Sequence, residues 1–375
     1  MRNRGETSAS ETAAETAAHE ADDSEGRGDK MAENKLSYRL RVFKNASFAK
    51  FNDVVNTAHE RSGFSKARCV REILHCMRKF DAGYYDYIIF QFYNLTDAQR
   101  DTYLTRFRSK KLISQYNDET YAHIFDNKDE FNKVFKDYIG RESIDMLEAT
   151  RDEVVEFYNH KKEQNQKIFA KMRDLTCGRG AELLDPENFD DEEAFYEYVK
   201  AKGFGTLEDC IVNHPDLAKV YPYSVNCMRM ITLIGDDGQP HLIYAVQKFG
   251  NNKRIVDNYG VHGPVDLEDG TFLYPAHPGE TTSDKLYTKH PFSGYPLIGF
   301  KTPYFKEAKE MVLNAAMVVP QMRYIGWDVA ITPTGPAIIE GNNYCAHDFW
   351  QLPGQTPGGI GIIPTLKKIV PSFQY

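Results

Sequence analysis

The sequence YIGWDVAITPTGPAIIEGNN, residues 324–343, has the pattern of two β-strands joined by a short turn. Its two halves are rich in β-branched and aromatic residues, as is typical of β-strands, and Pro-Thr-Gly separates them. A three-residue loop with glycine at the position that needs a positive φ is a common hairpin connection. We therefore expect an antiparallel hairpin in which Thr332 pairs with Pro336.

This pairing sorts the side chains of the hairpin onto two faces, because neighbouring residues of a strand point in opposite directions. One face is apolar and comprises Trp327, Val329, Ile331, Ala337 and Ile339. The other face places Asp328 opposite Glu340, with Asn342 two residues further along. Neither strand carries a Lys or Arg, so the facing carboxylates bind a proton or a cation, and oxygen ligands suit Mg²⁺. A solvated polar face is the alternative.

Short strand-like runs precede the hairpin and favour an α+β fold. Glycine and proline punctuate them, as expected for antiparallel strands, and they comprise KIFAK at 167–171, RMITLI at 229–234 and LIYAVQKF at 242–249. Helical patterns near 191–202 and 304–319 interrupt these strands.

The first part of the chain, up to about residue 165, has mainly helical patterns. Gly63 is expected to end a first helix. Ser65 is expected to cap a second helix, which would bury Leu74 together with Val70, Ile73 and Met77. The apolar run YYDYIIFQFY, residues 84–93, is a buried strand or a buried helix, since periodicity alone does not distinguish them.

The composition excludes several classes of protein. Hydrophobic residues make up 41% of the 375 residues, which suffices for the cores of about two domains. The net charge of −8 argues against general nucleic-acid binding, and no long apolar run predicts a membrane span. The six cysteines are scattered without a CxxC pair, which indicates a reducing compartment, so we expect a cytoplasmic protein. Residues 1–35 are expected to be a disordered tail.

Residues 168–184, IFAKMRDLTCGRGAELL, combine a lysine with a glycine-rich loop. A strand-like run ends at Lys171, and Gly178-Arg179-Gly180 follows. Glycine-rich loops let backbone N–H groups close over phosphates, and a lysine adds positive charge. The segment lacks the Walker pattern GxxxxGK[ST], and an ordinary turn is the alternative.

Three further segments carry candidate polar side chains. Arg229 lies in a strand within LEDCIVNHPDLAKVYPYSVNCMRMITLI, 207–234, where a surface ion pair is the ordinary role. RIVDNYGVHGPVDLEDG, 254–270, is typical of an ordered loop. The candidate substrate contacts are Asn226, Asp257, Asn258 and His262; a turn residue and a solvated histidine are the alternatives for the first and last. RFRSKK, 106–111, is a solvated helix face or a contact for an anionic substrate.

Together these segments resemble an ATP-grasp protein, and most of all the sugar-transfer-associated ATP-grasp family. The resemblance covers about residues 120–345 and is carried, in order, by FAKMRDLTCGRG, NHPDLAKVYPYSVNCMRMIT, RIVDNYGVHGP, KHPFSG and IGWDVAITPTGPAIIEGNN. The chain departs from the family at Val261–Pro264, where a glycine pair is usual, and at Asn226-Cys227, where Asn-Thr is usual. It also departs after Glu340, where a proline- and glycine-rich run is usual. These departures bear on the acceptor site.

The resemblance implies an ATP-grasp fold, in which two α+β subdomains clamp ATP. They would comprise residues 166–212 and 213–375, after a helix-rich N-terminal domain at 36–165 that recognises the acceptor. The resemblance implies that the phosphates of ATP are bound by Lys128, Lys171, Gly178, Arg179 and Gly180. The hinge that holds adenine and ribose would comprise Glu208, Asp209, Cys210 and Ile211. Arg229 is the expected catalytic residue, and two Mg²⁺ ions are expected on Asp328, Glu340 and Asn342.

The activity that the resemblance implies is ATP-dependent ligation of a carboxylate to an amine. The carboxylate attacks the γ-phosphate of ATP, and the amine then attacks the acyl phosphate, which leaves ADP and phosphate. The implied substrates are a sugar acid, an amino sugar or an amino acid in glycan or polysaccharide biosynthesis. The alternatives are a kinase of the same fold that phosphorylates a hydroxyl group, and a nucleotide-binding module without catalysis. No nucleic-acid partner is expected, and the sequence indicates no oligomeric state.

Overall fold

Helices form the first part of the chain in the computed structural model, which describes residues 48–172, 180–254, 257 and 260–375. They are α1 (Phe48–Ser62), α2 (Lys66–Lys79), α3 (Asp86–Ile89), α4 (Asp97–Arg100) and α5 (Arg106–Tyr116). Gly63 follows α1 with a φ of 71°, and the Ser65 hydroxyl caps α2 by accepting a hydrogen bond from the Arg68 amide, as predicted. The chain has two compact units, Met1–Val54 and Val55–Tyr375. The structure describes the first unit only from Phe48 onward, where α1 begins.

These helices differ from the prediction at Leu74, and they decide between the two alternatives for residues 84–93. Leu74 of α2 is 45% exposed, because the buried face follows the helical spacing of Cys69, Ile73 and Cys76. The apolar run at 84–93 forms α3 and a short 3₁₀ turn rather than a strand. Its backbone hydrogen bonds are therefore local, within the helical part of the chain.

A four-stranded sheet comes next, after three short helices, α6 (Ala122–Asp126), α7 (Lys128–Val134) and α8 (Lys136–Ile139). Its strands are β1 (Ser143–Asp145), β2 (Ile168–Lys171), β3 (Ala181–Leu184) and β4 (Thr206–Asp209), in the order β1-β4-β2-β3, all antiparallel. Helices α9 (Arg151–Glu163) and α10 (Glu192–Lys202) cover one face, where Phe157 and Phe195 join the core formed with Leu207. The side chains of Lys171 and Glu208 lie on the other face.

The remaining strands in the described part of the chain form a six-stranded antiparallel sheet. They are β5 (Met228–Ile234), β6 (Pro240–Phe249), β7 (Val261–Pro264), β8 (His277–Pro278), β9 (Tyr324–Thr332) and β10 (Gly335–Asn342), in the order β10-β9-β5-β6-β7-β8. Helix α11 (Pro215–Val220) precedes this sheet, α12 (Phe305–Ala316) precedes β9, and α13 (Ile363–Ile369) follows β10. The predicted α+β fold class is confirmed, and the subdomain boundaries stay a prediction.

The β9–β10 hairpin forms as predicted, with a different loop and a compensating bulge. Thr332 pairs with Gly335 instead of Pro336, so the loop has two residues, Pro333 and Thr334. The register then shifts between Ile338 and Glu340, which leaves Ile339 without a paired residue and restores the predicted pairing of Glu340 with Asp328. Ile338, rather than Ile339, therefore packs in the core beside Val329.

The six-stranded sheet is covered on both faces. One face packs against α12 and the short helices α6 to α8, and its core includes Trp327, Val329 and Ile331. The opposite face packs against α5 and α13, and its core includes Ile231, Tyr324 and Trp350. The two tryptophans of the chain are therefore both buried, one on each face.

The segment after β10, residues 343–356, is fastened to the N-terminal helices. The Gln351 side chain is buried, and its oxygen accepts hydrogen bonds from the amides of Leu104 (2.9 Å) and Ile362 (3.1 Å). Its amide nitrogen donates to the carbonyls of Leu104 (3.0 Å) and His347 (3.1 Å). His347 Nε2 lies 2.8 Å from Asp86 Oδ1 on α3, so a second buried contact supports this attachment.

The basic cluster at 106–111 is used inside the fold. Arg108 is buried and bonds Asp101, with Nη2–Oδ1 at 2.5 Å, and Lys111 bonds Asp81, with Nζ–Oδ2 at 2.5 Å. Neither the solvated face nor the anion contact describes these two side chains. The sequence did not predict this role because both partners lie outside the basic run.

Two further facts concern the cysteines and the membrane. Cys69, Cys76, Cys210, Cys227 and Cys345 are free thiols, and Cys177 lies outside the described residues. None of the helices in the described part of the chain has the length and apolar character that a membrane span requires.

Candidate functional site

Three charged side chains meet across neighbouring strands of the six-stranded sheet. The register places Arg229 of β5 opposite Asp328 of β9, and Asp328 opposite Glu340 of β10. The Arg229 guanidinium donates to both carboxylate oxygens of Asp328, with Nε–Oδ1 at 2.5 Å and Nη2–Oδ2 at 2.8 Å. The expectation that the carboxylates have no basic neighbour rested on the two strands of the hairpin alone, and it is wrong. The third strand supplies that neighbour.

The two carboxylates titrate differently because the arginine is bonded to one of them. Burial alone would raise the pKa of Asp328, but the charge of Arg229 lowers it. The pKa of Glu340 is raised, because protein atoms crowd its carboxylate and because Asp328 is negatively charged. The Glu340 side chain is nevertheless open to solvent. A positive ligand can therefore reach it, and would relieve the repulsion.

Asn342 lies beside Glu340, so the three predicted metal ligands come together at one end of the hairpin. The Asn342 Nδ2 atom is 3.4 Å from Glu340 Oε1 and 3.4 Å from the Gly326 carbonyl oxygen. Two carboxylates and an amide form a donor set that suits Mg²⁺. The fit requires Arg229 to move, because its guanidinium engages both oxygens of Asp328. Across the described ranges, no group of three His, Cys, Asp or Glu side chains forms a metal site of another kind.

A second charged cluster surrounds Glu208 on the four-stranded sheet. Lys171 Nζ lies 2.6 Å from Glu208 Oε2, and Arg141 Nε lies 3.3 Å from the same oxygen. The side chains of Arg141 and Glu208 are buried, whereas that of Lys171 is 22% exposed. Lys171 is therefore the member of this cluster that a ligand can reach.

Lys128, at the start of α7, adds a further positive charge to this cluster. Burial lowers the pKa of Lys171, and the charges of Arg141 and Lys128 act in the same direction, against Glu208. Burial alone would raise the pKa of Glu208, but Arg141, Lys171 and Lys128 lower it. Three cations around one carboxylate leave an excess of positive charge, which suits an anionic ligand.

Arg141 connects the two clusters. Its Nη1 donates to the Ile338 carbonyl (2.9 Å) and its Nη2 to the Ile339 carbonyl (3.0 Å). The bulge in β10 leaves Ile339 outside the strand ladder, so its carbonyl needs a donor from elsewhere. The side chain that contacts Glu208 thereby also holds the strand that carries Glu340. Sequence reasoning missed Arg141 because its partners lie about two hundred residues further along the chain.

The predicted hinge residues Glu208 and Asp209 point to opposite faces of β4. Asp209 turns toward α9, where Lys161 Nζ lies 2.6 Å from its Oδ1. Its Oδ2 accepts a hydrogen bond from the Glu142 amide at 2.8 Å. A surface pocket of about 280 Å³ lies here, lined by Gly140, Arg141, Glu142, His160, Lys161, Gln164, Gln166 and Asp209. Cys210 and Ile211 follow, and are partly buried.

Asp257 lies on the same side of the six-stranded sheet as Arg229 and is paired with a lysine. Lys248 Nζ is 2.8 Å from Asp257 Oδ1, and Asp257 Oδ2 accepts a hydrogen bond from the Cys227 amide at 3.0 Å. Burial would lower the pKa of Lys248, but the charge of Asp257 raises it. Lys248 was also missed from the sequence. Its signal was a lysine inside the apolar strand run LIYAVQKF.

Asn226 is a structural residue in the free protein. Its side-chain amide is fully buried, and its Nδ2 donates to the carbonyls of Leu217 (3.2 Å) and Tyr221 (2.7 Å). Its Oδ1 accepts a hydrogen bond from the Gly250 amide at 3.2 Å. These backbone contacts fit the turn-residue alternative, and a contact of Asn226 with substrate stays a prediction.

His262 is buried in β7, so the alternative of a solvated loop histidine is wrong. Its ring stacks on Phe349, with centroids 4.0 Å apart and planes at 11°. Burial and the neighbouring His277 lower the pKa of His262 well below its usual value. The ring is therefore neutral near pH 7, and it is covered by the segment that follows β10.

Of the remaining predicted residues, three lie outside the part of the chain that the structure describes, and Gly180 lies at its boundary. Gly178, Arg179 and Asn258 lie outside the described residues. Gly180 has a φ of 68°, and its carbonyl accepts a hydrogen bond from the Met172 amide at 3.3 Å. A positive φ at this position favours glycine, as the sequence argument for the loop requires.

The site thus combines reachable positive charge with a pair of carboxylates. Lys171 on the four-stranded sheet and Lys128 at the start of α7 present positive charge, while Asp328 and Glu340 present carboxylates on the six-stranded sheet. Arg229 belongs to both groups, because it is a cation that is bonded to one of the carboxylates. Such an arrangement can neutralise a polyanion that arrives together with a divalent cation.

Comparison with known proteins confirms the family resemblance. Residues 191–370 match the family model described as "Sugar-transfer associated ATP-grasp". The match includes β5, β9 and β10, and with them Arg229, Asp328 and Glu340. It also includes Glu208 and Asp209, but begins after Lys128 and Lys171. No curated protein matches the chain.

Solved structures with partial similarity include three enzymes. A D-alanine-D-alanine ligase from Coxiella burnetii is 11% identical, with a TM-score of 0.32 over 58% of this chain and 48% of that one. A biotin carboxylase from Campylobacter jejuni, in a β,γ-ATP complex, is 12% identical, with a TM-score of 0.40 over 68% and 47%. An L-amino acid ligase from Bacillus licheniformis is 10% identical, with a TM-score of 0.34 over 61% and 43%. The chain spans about half the length of these proteins, and TM-scores this low carry no inference about function.

Proposed function

We propose, from the match of residues 191–370 to the sugar-transfer-associated ATP-grasp family, that the protein is an ATP-dependent ligase that joins a carboxylate to an amine. The observation that carries the proposal is the alignment of Arg229, Asp328 and Glu340 on three adjacent strands, beside the Lys171 cluster. The proposed substrates are a sugar acid, an amino sugar or an amino acid used in glycan or polysaccharide biosynthesis.

In this proposal, the cations of the site bind and orient the phosphates of ATP. Lys171 is reachable from solvent and lies among further positive charges, which supports a contact with phosphate oxygens. Lys128 would act beside it, and the loop with Gly178, Arg179 and Gly180 would cover the phosphates. Backbone groups of Asp209, Cys210 and Ile211 would hold the adenine. The Glu208 side chain would hold the ribose, after it exchanges its contact with Lys171 for one with the ligand.

Arg229 would stabilise the negative charge that develops during phosphoryl transfer. The substrate carboxylate would attack the γ-phosphorus atom, and the bond to the β,γ-bridging oxygen would break, with ADP as the leaving group. The amine would then attack the acyl carbon and release phosphate. Asp328, Glu340 and Asn342 would hold magnesium, which neutralises phosphate charge when it is bound.

Product analysis tests the reaction. The protein would be incubated with ATP, Mg²⁺ and a panel of sugar acids, amino sugars and amino acids, and the products separated by ion-exchange chromatography. We expect ADP and phosphate, formed when a carboxylate and an amine are both present. AMP and pyrophosphate would contradict the proposal, and so would a phosphorylated hydroxyl group, which would identify a kinase.

A lysine variant tests the site itself. Lys171→Met is expected to lower turnover about 10²- to 10³-fold, because one preorganised contact to the reacting charge is lost. Lys200→Met is the matched control, since Lys200 is exposed on α10. Near-normal turnover of Lys171→Met at saturating ATP would reject the assignment of Lys171.

A further inference from the structure

Two of the cations that the proposed function places on the phosphates, Lys171 and Arg229, are bonded to carboxylates in this structure. Lys171 Nζ lies 2.6 Å from Glu208 Oε2. Arg229 makes two parallel hydrogen bonds to Asp328. A carboxylate and a phosphate both accept charge-assisted hydrogen bonds from the same donors. In the free protein, these carboxylates therefore occupy the positions on the cations that the phosphates would take.

The Arg229–Asp328 contact matters most, because Asp328 is also a proposed metal ligand. A guanidinium that donates to both carboxylate oxygens leaves the carboxylate poorly placed to bind a metal. It also places a positive charge next to the position that the metal ion would take. Two positive charges so close together repel strongly in a partly buried site. The side chain of Asp328 is only 10% exposed, so solvent screens this repulsion weakly.

We propose, on the basis of the function proposed above, that Asp328 is the internal counter-ion of Arg229 in the free site and becomes a metal ligand only after phosphate oxygens have taken over the guanidinium. Arg229 thus competes with the metal for Asp328. The divalent ion binds this site weakly on its own, and the nucleotide makes the site competent to hold it. Metal binding is coupled to nucleotide binding through one side chain.

The test uses Mn²⁺ as a spectroscopic substitute for Mg²⁺, without nucleotide. Free Mn²⁺ is measured by electron paramagnetic resonance during a titration of wild type, Arg229→Met and Arg323→Met. Arg323 is a matched control, because it is an arginine bonded to an aspartate, Asp236, away from the site. We expect weak binding to wild type and to Arg323→Met, and binding to Arg229→Met that is about ten- to a hundredfold tighter, since a charged hydrogen-bonded competitor is removed.

Two further variants keep the test decisive. The double variant Arg229→Met/Asp328→Asn is expected to lose the gain, which would place the Mn²⁺ at Asp328. If Arg229→Met does not fold, Arg229→Lys retains a charge but lacks the two-pronged contact, and is expected to bind Mn²⁺ more tightly than wild type does. Equal Mn²⁺ affinity of wild type and both single Arg229 variants would overturn the proposal, as would tight binding to wild type.

A separate measurement distinguishes this inference from the proposed function. ATP binding to wild type is followed by calorimetry with EDTA present, so that no divalent ion takes part. Absence of ATP binding there and with Mg²⁺ would contradict the proposed function, whatever the Mn²⁺ titration shows. ATP binding combined with an unchanged Mn²⁺ affinity of the Arg229 variants would contradict the competition alone.

Discussion

The carboxylate of Glu340 lies opposite that of Asp328, and the repulsion between them is confined to this pair. Arg229 compensates Asp328, while the pKa of Glu340 stays raised by the crowding protein and by Asp328. Glu340→Gln removes the repulsion and keeps the shape of the side chain. We expect the variant to be more stable without metal by about 0.2–1 kcal/mol, the usual size of a cross-strand pair interaction.

The gain in stability of Glu340→Gln should depend on pH. A folded pKa above the unfolded one means that the carboxyl group favours folding most when it is protonated. Wild type and Glu340→Gln should therefore have equal stability below about pH 4, and the variant should gain as the pH rises. Urea unfolding of both proteins, with Glu310→Gln as an exposed control on α12, measures the difference. A difference that does not change with pH would contradict this account.

The same variant should lose the stabilisation that MgATP gives to wild type. A ligand that binds the folded state raises its stability in proportion to the logarithm of its concentration over Kd, so weaker binding gives a smaller shift in Tm. Thermal melts with and without MgATP measure this shift. An unchanged shift in Glu340→Gln would reject Glu340 as a ligand of the metal.

At the scale of the strand, the bulge in β10 depends on Arg141. The guanidinium satisfies two carbonyls at the bulge and also contacts Glu208, and it is almost fully buried. Arg141→Met is expected to lower the free energy of unfolding by about 3–5 kcal/mol, the usual cost of breaking a buried ion pair. Arg151→Met, which removes an exposed pair with Glu193, should cost less than about 1 kcal/mol. Equal effects of the two substitutions would contradict the role of Arg141.

At the scale of the connecting segment, His347 and Asp86 form a buried pair whose strength depends on pH. Burial alone would lower the pKa of His347, but Asp86 raises it. Burial alone would raise the pKa of Asp86, but His347 lowers it. The histidine's contribution is complete below its unfolded pKa, about 6.5, and is lost as the pH rises through its raised folded pKa. The aspartate's contribution is present above about pH 4 and is lost as the pH falls through its lowered folded pKa.

His347→Gln tests this pair. The stability lost in the variant should be largest between about pH 4 and 6.5, and should shrink as the pH rises further. Chemical unfolding between pH 5 and pH 9 measures it. A loss of stability that is constant across this pH range would contradict an ion pair between His347 and Asp86.

The hairpin shows how far sequence reasoning reaches at this scale. Alternation along the chain was enough to predict that Asp328 faces Glu340, and the structure has this pairing. The loop length and the bulge were not predictable, because two opposite one-residue differences cancel along β10. Arg229 was predicted as a functional residue through the resemblance, but its contact with Asp328 depends on the pairing of β5 with β9, which are nearly a hundred residues apart. Short-range patterns carry no information about such a contact.

At the scale of the whole molecule, the fold class was predictable and the connections between its parts were not. The helical start and the strand-rich remainder follow from periodicity and from the spacing of glycine and proline. Gln351 has no such signal, yet its amide joins Leu104, His347 and Ile362 through four hydrogen bonds. A polar residue between Trp350 and Leu352 gave no indication of partners in the N-terminal helices.

Gln351→Leu should therefore weaken more than one local element. Four buried backbone groups would lose their partners, which costs about 2–5 kcal/mol. Gln321→Leu, at an exposed position, is the control. Unfolding would be followed by circular dichroism and by the fluorescence of Trp327 and Trp350, which report on opposite faces of the six-stranded sheet. We expect coincident transitions in wild type; separate transitions there would contradict the coupling of the two ends of the chain.

The internal pairing of Lys171 and Arg229 also affects how fast a nucleotide can arrive. Long-range attraction accelerates association when unpaired charge on the protein is opposite to that of the ligand. This chain has a net charge of −8, and Lys171 and Arg229 are already bonded to carboxylates. ATP is itself an anion, so the net charge of the protein opposes its approach, and salt that screens this repulsion should accelerate association rather than slow it. The phosphates are then recognised after the encounter, when each cation exchanges its carboxylate partner for a phosphate.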